Sequence, residues 1–295
     1  MTNRTRRLTA GPIQMAIAEA GAGGRPLLLV HGFTGAKEDF TGHLPALAAA
    51  GWHAVAPDLR GHGASDAPEV ESAYSLEIMA GDLLALADAL GWGRFALVGH
   101  SMGGMVVQVL ALSAPERLSA LVLMDTGSGP VVIDRSLAMG SVELVRTSGM
   151  GALAELLASL PEGVNPLETV ASRHVRRARS GPLGDDDPAE SWETYGDAKL
   201  LAASPAMYAA MVPAMLDQPG RLAAVTDLAV PVLVMVGEHD ALFLDDSRSL
   251  AAAIPGACLH VLPGAGHSPH HESPDLWLEA LLEFLAGNAS TPVDD

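Results

Sequence analysis

Cysteine is nearly missing from this sequence. The single one, Cys258, excludes an intramolecular disulfide and leaves the redox compartment open. It falls in a strand-like apolar run, where a buried thiol packing as a small hydrophobe is expected. Basic residues are scarce as well: 17 Lys and Arg stand against 35 Asp and Glu, a formal net charge of −18. That balance argues against a nucleic-acid partner without a concentrated basic face, and the acidity reads as solubility. Long apolar runs are also wanting. Arg4, Arg6 and Arg7 resemble a secretory n-region, but no apolar stretch follows them, and no segment approaches a membrane span. A cytoplasmic protein with no nucleic-acid or membrane partner is the expectation.

What is present is a globular composition, with 49% hydrophobic and 18% charged residues over 295 positions. A full core is possible, as one large domain or a domain with an insertion. After a loose polar start over residues 1–10, Pro12 to Ala20 alternates as an edge strand of an antiparallel pair. Arg25 to Val30 is a continuous apolar run, as in a strand covered on both faces. Glu38 to Ala50 reads as a helix, and His53 to Pro57 as a second buried run leading into turn chemistry from Asp58 to Asp66. Ser75 is placed as the N-cap of an amphipathic helix. Further strands are expected at Phe95 to His100 and Leu118 to Met124. The alternation then stops. Between Thr126 and about Asp227 only helical pieces are expected, at Met139 to Leu160, Val170 to Ala178 and Pro205 to Leu216. Strands at Val230 to Gly237 and Cys258 to Leu262 resume the pattern, with helices from Asp246 to Ile254 and Pro274 to Leu285. Such alternation predicts an α/β fold with a mostly parallel sheet. Residues 1–126 and 227–295 form its core, and 127–226 a helical insertion.

The chain is organised around Phe95-Ala-Leu-Val-Gly-His-Ser101-Met-Gly-Gly104, which spells G-x-S-x-G between a strand and a helix. In that context the serine sits on a strained bend with its hydroxyl projecting beyond the sheet. The helix that follows directs its N-terminal N–H groups towards any anion formed there. Ligand sites on parallel sheets lie at the carboxyl ends of the strands. Those ends carry His31-Gly-Phe33, Asp58, Ser101, Asp125, Glu238-His-Asp240 and Gly264-Ala-Gly-His267. A serine hydroxyl needs a base to attack. Of eleven histidines, His267 is the expected base because it follows the last strand on a flexible lead, with His270 and His271 as rivals. His31, His62 and His100 are assigned to loop shaping or pocket lining, and His43, His53, His174 and His260 to structural or surface positions. Asp240 is expected to accept the other ring N–H of His267. It could instead cap the following helix, and Asp125 is a second candidate for the acid. The alkoxide formed on attack needs two donors, expected from the backbone N–H groups of Met102 and Phe33.

Together, His31-Gly-Phe33, Asp58-Leu-Arg-Gly-His-Gly-Ala-Ser-Asp66, Gly99-His-Ser-Met-Gly-Gly104, Gly237-Glu-His-Asp240 and Gly264-Ala-Gly-His267 resemble the α/β-hydrolase superfamily. The likeness is to its capped branch of serine esterases and carbon–carbon hydrolases. It spans about residues 12–126 and 227–286 and is weak over the insertion. The resemblance implies an eight-stranded, mostly parallel sheet with a helical cap after the sixth strand. It also implies acylation of Ser101 by a small-molecule substrate and hydrolysis of the acyl-enzyme, with no metal or organic cofactor. Ser101 stands where dehalogenases and epoxide hydrolases of this fold carry Asp. His100 replaces the Asn usual in carbon–carbon hydrolases. Met105 replaces the Arg of the menaquinone-pathway lyase, and Met102 the Trp of proline iminopeptidases. A carboxylic ester hydrolase or lactonase remains. The alternatives are a carbon–carbon hydrolase of vinylogous diketo acids, and a non-catalytic receptor of the same fold. In the insertion, Met207, Tyr208, Met211 and Met215 could line an acyl pocket or simply pack a core. With His31 and His100, Tyr208 and Met211 are the pocket candidates. Arg173, Arg176, Arg177 and Arg179 are expected to form a solvated face.

Overall fold

Every residue of Phe95–His100 and of Val232–Gly237 is buried. Strands of that kind need cover on both faces. The computed structural model, which describes residues 2–159 and 198–288, provides it. Its strands are β1 (Arg4–Ala10), β2 (Ile13–Ala20), β3 (Arg25–Val30), β4 (Trp52–Pro57), β5 (Phe95–His100), β6 (Leu118–Met124), β7 (Val232–Gly237) and β8 (Cys258–Leu262). They form one eight-stranded sheet in the order β1-β2-β4-β3-β5-β6-β7-β8. β2 runs antiparallel to both of its neighbours, and every pair from β4 to β8 is parallel.

The side-chain period of two sends alternate residues of β5 to opposite cores. Phe95 and Leu97 join a cluster with Leu83, Leu86, Val106 and Leu110. These belong to α3 (Leu76–Ala89) and α4 (Met102–Ser113). Ala96 and Val98 join the other face with Leu44, Leu47, Trp277 and Leu281. Those come from α2 (Leu44–Ala49) and α9 (Pro274–Gly287). Leu97 is completely buried, so Leu97→Ala should cost about 2–5 kcal/mol through lost contacts and a residual cavity. Ser75 caps α3, its hydroxyl accepting from the Ile78 N–H at 3.1 Å.

Three local expectations are corrected. Residues 4–10 are not a loose start but the edge strand, joined to β2 by a tight turn in which Gly11 takes φ 58°. The arginines that obscured this strand project from both of its faces: Arg6 pairs with Glu19 at 2.6 Å and Arg7 with Asp66 at 2.5 Å, and charge on an edge discourages pairing with other chains. The helix expected over 38–50 is two, α1 (Glu38–Thr41) and α2. Pro45, in the first turn of α2, has no N–H to continue a helix from α1. Cys258 is exposed rather than buried, because it opens β8, whose first three residues are uncovered at the other edge.

Between β6 and β7 the described residues hold α5 (Arg135–Ser159), interrupted at Gly149 with φ 79°, and α6 (Pro205–Asp217). The expected helix at 170–178, His174 and the arginine cluster of 173–179 lie outside the described residues, as does Leu160. After β7 come α7 (Leu244–Ala253) and, beyond β8, the short α8 (Pro269–Glu272) ahead of α9. Among the described residues, no helix is long and apolar enough to cross a membrane.

Candidate active site

Ser101 joins β5 to α4 with φ 53° and ψ −119°. Backbone of that kind is costly for a residue with a side chain and persists only when its surroundings hold it. Here the Ser101 N–H donates to the Met124 carbonyl at 2.9 Å. The Thr126 hydroxyl donates to the Ser101 carbonyl at 2.8 Å. The bend is also packed tightly from behind. A Cβ on Gly103 would lie 2.4 Å from the His31 carbonyl oxygen and 2.6 Å from that of Val30, backbone atoms that have no room to yield.

β5, β6, β7 and β8 end in step. The Asp125 N–H donates to Met235 O and the Glu238 N–H to Leu262 O, carrying the ladder one residue past the strands. This alignment brings together side chains far apart in sequence. His267 Nε2 lies 3.0 Å from Ser101 Oγ, and its Nδ1 lies 2.9 Å from Asp240 Oδ2. A carboxylate can only accept, so Nδ1 carries the proton and Nε2 is left to accept from the serine. Asp240 Oδ1 accepts from the N–H groups of Leu242 and Phe243 at 3.1 and 3.3 Å. Capping of its own turn and contact with His267 therefore coexist in one side chain. Burial pushes the Asp240 carboxyl up, but the hydrogen bond and charge of His267 outweigh it and leave the group below its usual value. Two supports were not expected from the sequence. The Phe243 ring stacks on the His267 imidazole, centroids 5.4 Å apart. His100 donates through Nε2 to the His267 carbonyl at 2.7 Å. A lone aromatic three residues past an acid, and a histidine inside the elbow, carry no sequence signal for either contact.

The loop after β3 approaches the serine closely. A Cβ on Gly32 would come within 3.1 Å of Ser101 Cβ. Next in the chain is Phe33, and Met102 is the first residue of α4, whose N–H has no partner within the helix. Among the described residues neither N–H donates to a backbone carbonyl. His31 is fully buried, with Nδ1 donating to Gly32 O at 2.8 Å and Nε2 accepting from the Leu59 N–H at 3.0 Å. It ties the loops after β3 and β4 together and has no face left for a pocket. His100, assigned beside it, is buried too, and burial followed by the neighbouring His267 lowers its pKa to about 3. It is a neutral brace.

Met211 is completely buried in the apolar cluster and lines nothing. Tyr208 is placed differently. Its ring lies 5.0 Å from that of Phe33, and its hydroxyl is 2.9 Å from Ser141 Oγ on α5. It therefore joins the helical segment to the loop beside Ser101. Of the rival histidines, His270 and His271 are buried, their rings tilted at 45° with centroids 4.1 Å apart, and His270 sets its ring edge-on to His100 at 4.9 Å. Asp58 is structural, accepting from the Lys37 backbone at 2.7 Å and from Lys37 Nζ at 3.0 Å. Asp125 does not bond His267, although one oxygen of it, one of Asp240 and a ring nitrogen of His267 all lie within 4.8 Å of one another. Metal ions can use such spacing, but both His267 nitrogens are already engaged.

Known proteins share this arrangement of elements. A family model described as the alpha/beta hydrolase fold matches residues 25–274. The putative 2-succinyl-6-hydroxy-2,4-cyclohexadiene-1-carboxylate synthase of Bacillus subtilis is 28% identical over 92% of this chain and 95% of its own length. A putative carbamate hydrolase of Variovorax paradoxus is 31% identical over 90% of this chain and 93% of its own. Among solved structures, a thermophilic esterase from Thermogutta terrifontis superposes with a TM-score of 0.79 at 30% identity, over 97% of this chain and 99% of that one. The match from β3 to the start of α9, on a sheet of this order, means that the chain belongs to the α/β-hydrolase fold family and is a hydrolase of that fold.

Proposed function

We propose that the protein is a serine hydrolase of small, fairly apolar carboxylic esters or lactones, acting through an acyl-enzyme. One observation carries this reading: the unbroken chain from Ser101 Oγ through His267 to Asp240, with contacts of 3.0 and 2.9 Å. Ser101 Oγ attacks the ester carbonyl as His267 Nε2 takes its proton, and Asp240 steadies the imidazolium that forms. The carbonyl oxygen becomes an alkoxide, held by the N–H groups of Met102 and Phe33 at the positive end of α4. The imidazolium returns its proton to the leaving alcohol. Water, deprotonated by the same nitrogen, then releases the acid and restores the serine.

Residues 127–226 act as the cap that shapes the substrate, with the Tyr208 ring against Phe33 as its nearest described contact to the oxyanion loop. An apolar substrate is favoured by the first turn of α4. Met105 is buried there, its sulfur taking a hydrogen bond from Gln218 Nε2 at 3.1 Å. It offers no cation to a carboxylate-bearing substrate. The test is hydrolysis of p-nitrophenyl esters of graded acyl length, lactones and vinylogous diketo acids by the wild type and by Ser101→Ala. Ester or lactone turnover that disappears in the variant is the expected result. Turnover of the diketo acids alone, or equal turnover by the variant, overturns it.

A further inference from the structure

Asp125 has no part in the acyl-transfer scheme, yet its placement is unusual. It follows β6 with φ 46°, a strained backbone for a residue other than glycine, and its side chain is wholly buried. One carboxyl oxygen accepts from the Gly237 N–H at 2.9 Å. The other, Oδ2, is buried with no donor among the described residues. A buried acceptor without a donor is expensive. Its acidic neighbour is Asp240: one oxygen of each acid and a ring nitrogen of His267 all lie within 4.8 Å of one another. Two carboxylates cannot bond to one another unless a proton lies between them, and two buried like charges this close cannot both be ionised.

The surroundings decide which acid keeps the proton. Asp240 accepts from His267 Nδ1, the Leu242 N–H and the Phe243 N–H, all of which favour its charged form. Asp125 has one donor, from Gly237. The titratable groups that face it are Asp240, on the turn after β7, Glu272, on α8, and His267, whose ring nitrogen lies within 4.8 Å; the two acids oppose its ionisation. Burial first, and then the charge of Asp240, hold its carboxyl well above the usual carboxylate range.

We propose that Asp125 is a positioning residue: protonated at neutral pH, it donates its O–H to the Asp240 carboxylate and holds that carboxylate in the orientation that receives His267 Nδ1–H. The inference deepens the acyl-transfer reading and rests on it for its kinetic consequences. The proton itself can be tested without any substrate. It also explains how two acids at adjacent strand ends can share one site. The neutral acid acts as a hydrogen-bond donor, and the ionised one faces the base.

Two variants and two readouts test it. Asp125→Asn keeps both interactions, since its amide oxygen can accept from Gly237 and its NH2 can donate to Asp240. Asp125→Ala keeps neither. Infrared difference spectra of the full chain at neutral pH should show a protonated-carboxyl C=O band that Asp125→Asn removes and Ser101→Ala retains. A spectrum without such a band overturns the proposal. With p-nitrophenyl acetate, Asp125→Ala should lose about tenfold in kcat at unchanged KM, within the range for a lost hydrogen bond to a charged group. Asp125→Asn should restore the rate to within about threefold of wild type.

The pH profiles separate the two protonation states. Without its donor, Asp240 concentrates more negative charge beside His267, stabilising the imidazolium. The acid limb of kcat/KM in Asp125→Ala therefore moves to higher pH, while Asp125→Asn leaves it in place. If Asp125 were ionised, Asp125→Asn would remove a negative charge, shift that limb to lower pH and cost the rate; this outcome overturns the proposal. So does an Asp125→Ala enzyme that matches wild type. If Asp125→Ala does not fold, the infrared band and the Asp125→Asn profile still decide. Labelling of Ser101 by a fluorophosphonate keeps the two claims apart. A protein that resists the label fails the acyl-transfer reading, while the carboxyl band continues to report on Asp125.

Discussion

The carboxyl edge of the sheet and the helical segment between β6 and β7 are built on different terms. At the sheet edge each chemical group is held by backbone geometry. Ser101 sits at φ 53° against Gly103, whose missing side chain lets α4 approach the end of β3. Asp240 is gripped by two N–H groups of its own turn. In the described part of the helical segment, the contacts nearest the site are side-chain packing. Met207 and Met211 are buried among apolar neighbours, and Tyr208 is set by one hydroxyl contact with Ser141. Backbone-determined positions tolerate almost no substitution. Flexible thioethers and a single aromatic ring can be exchanged at modest cost. On the proposed function, chemistry would reside where the tolerance is small, and substrate choice where it is large.

This contrast can be broken by substitution. Ser101→Ala should lower kcat/KM for a p-nitrophenyl ester by at least about 10³-fold while leaving the melting temperature within a degree or two of wild type. Comparable turnover by purified variant would place the chemistry elsewhere. Gly103→Ala should affect the fold itself, because its Cβ would collide with two carbonyl oxygens at 2.4 and 2.6 Å. A loss of about 3 kcal/mol or more is expected in chemical denaturation, near the upper range for a single site. Wild-type stability in that variant would mean that the elbow can relax.

Tyr208→Ala should act on selectivity more than on chemistry. The ratio of kcat/KM for butyrate over acetate esters should change by about tenfold through lost contact area, with acetate turnover preserved to within a few-fold. An unchanged chain-length profile would remove Tyr208 from the pocket. The smallest effect concerns pH. His100 and His62 are buried, and burial and a neighbouring histidine hold both near a pKa of about 3, against a reference value of 6.5. The unfolded chain binds these protons more readily. Their contribution is therefore complete above about pH 6.5 and is lost progressively as pH falls towards 3. The melting temperature of Ser101→Ala should drop by several degrees between pH 7 and pH 5, and the drop should be shallower in His62→Asn. Equal slopes would exclude His62 as a source.

Several features were legible because they depend on neighbours in sequence. The G-x-S-x-G bend needs small residues at fixed offsets, and Ser75 caps a helix that begins at the next residue. Strands β3, β5, β6 and β7 declare themselves as unbroken apolar runs because both faces are covered. The edges were harder. β1 hides its alternation under three arginines, and Cys258 looks buried by its neighbours but opens an uncovered edge strand. The histidines were hardest. His31, His100 and His267 all follow or end a strand beside glycine, but only His267 meets the serine. The other two brace loops through bonds to Leu59 and to the His267 carbonyl.

The sequence by itself determined the alternation of strand and helix, the bend at Ser101 and the set of polar groups at the strand ends. Each follows from local sterics and periodicity. Only the tertiary structure decided which of those groups touch. Asp125 and Asp240 each follow a buried strand; the sequence puts Asp240 first and Asp125 second, but contact with His267 is not a local property of either. The in-step ends of β6 and β7, the two N–H groups of the Asp240 turn and the reach of His267 across from β8 select Asp240 for the base and turn Asp125 towards Gly237. Proximity across a sheet depends on register between strands more than a hundred residues apart, and no local pattern encodes that distance.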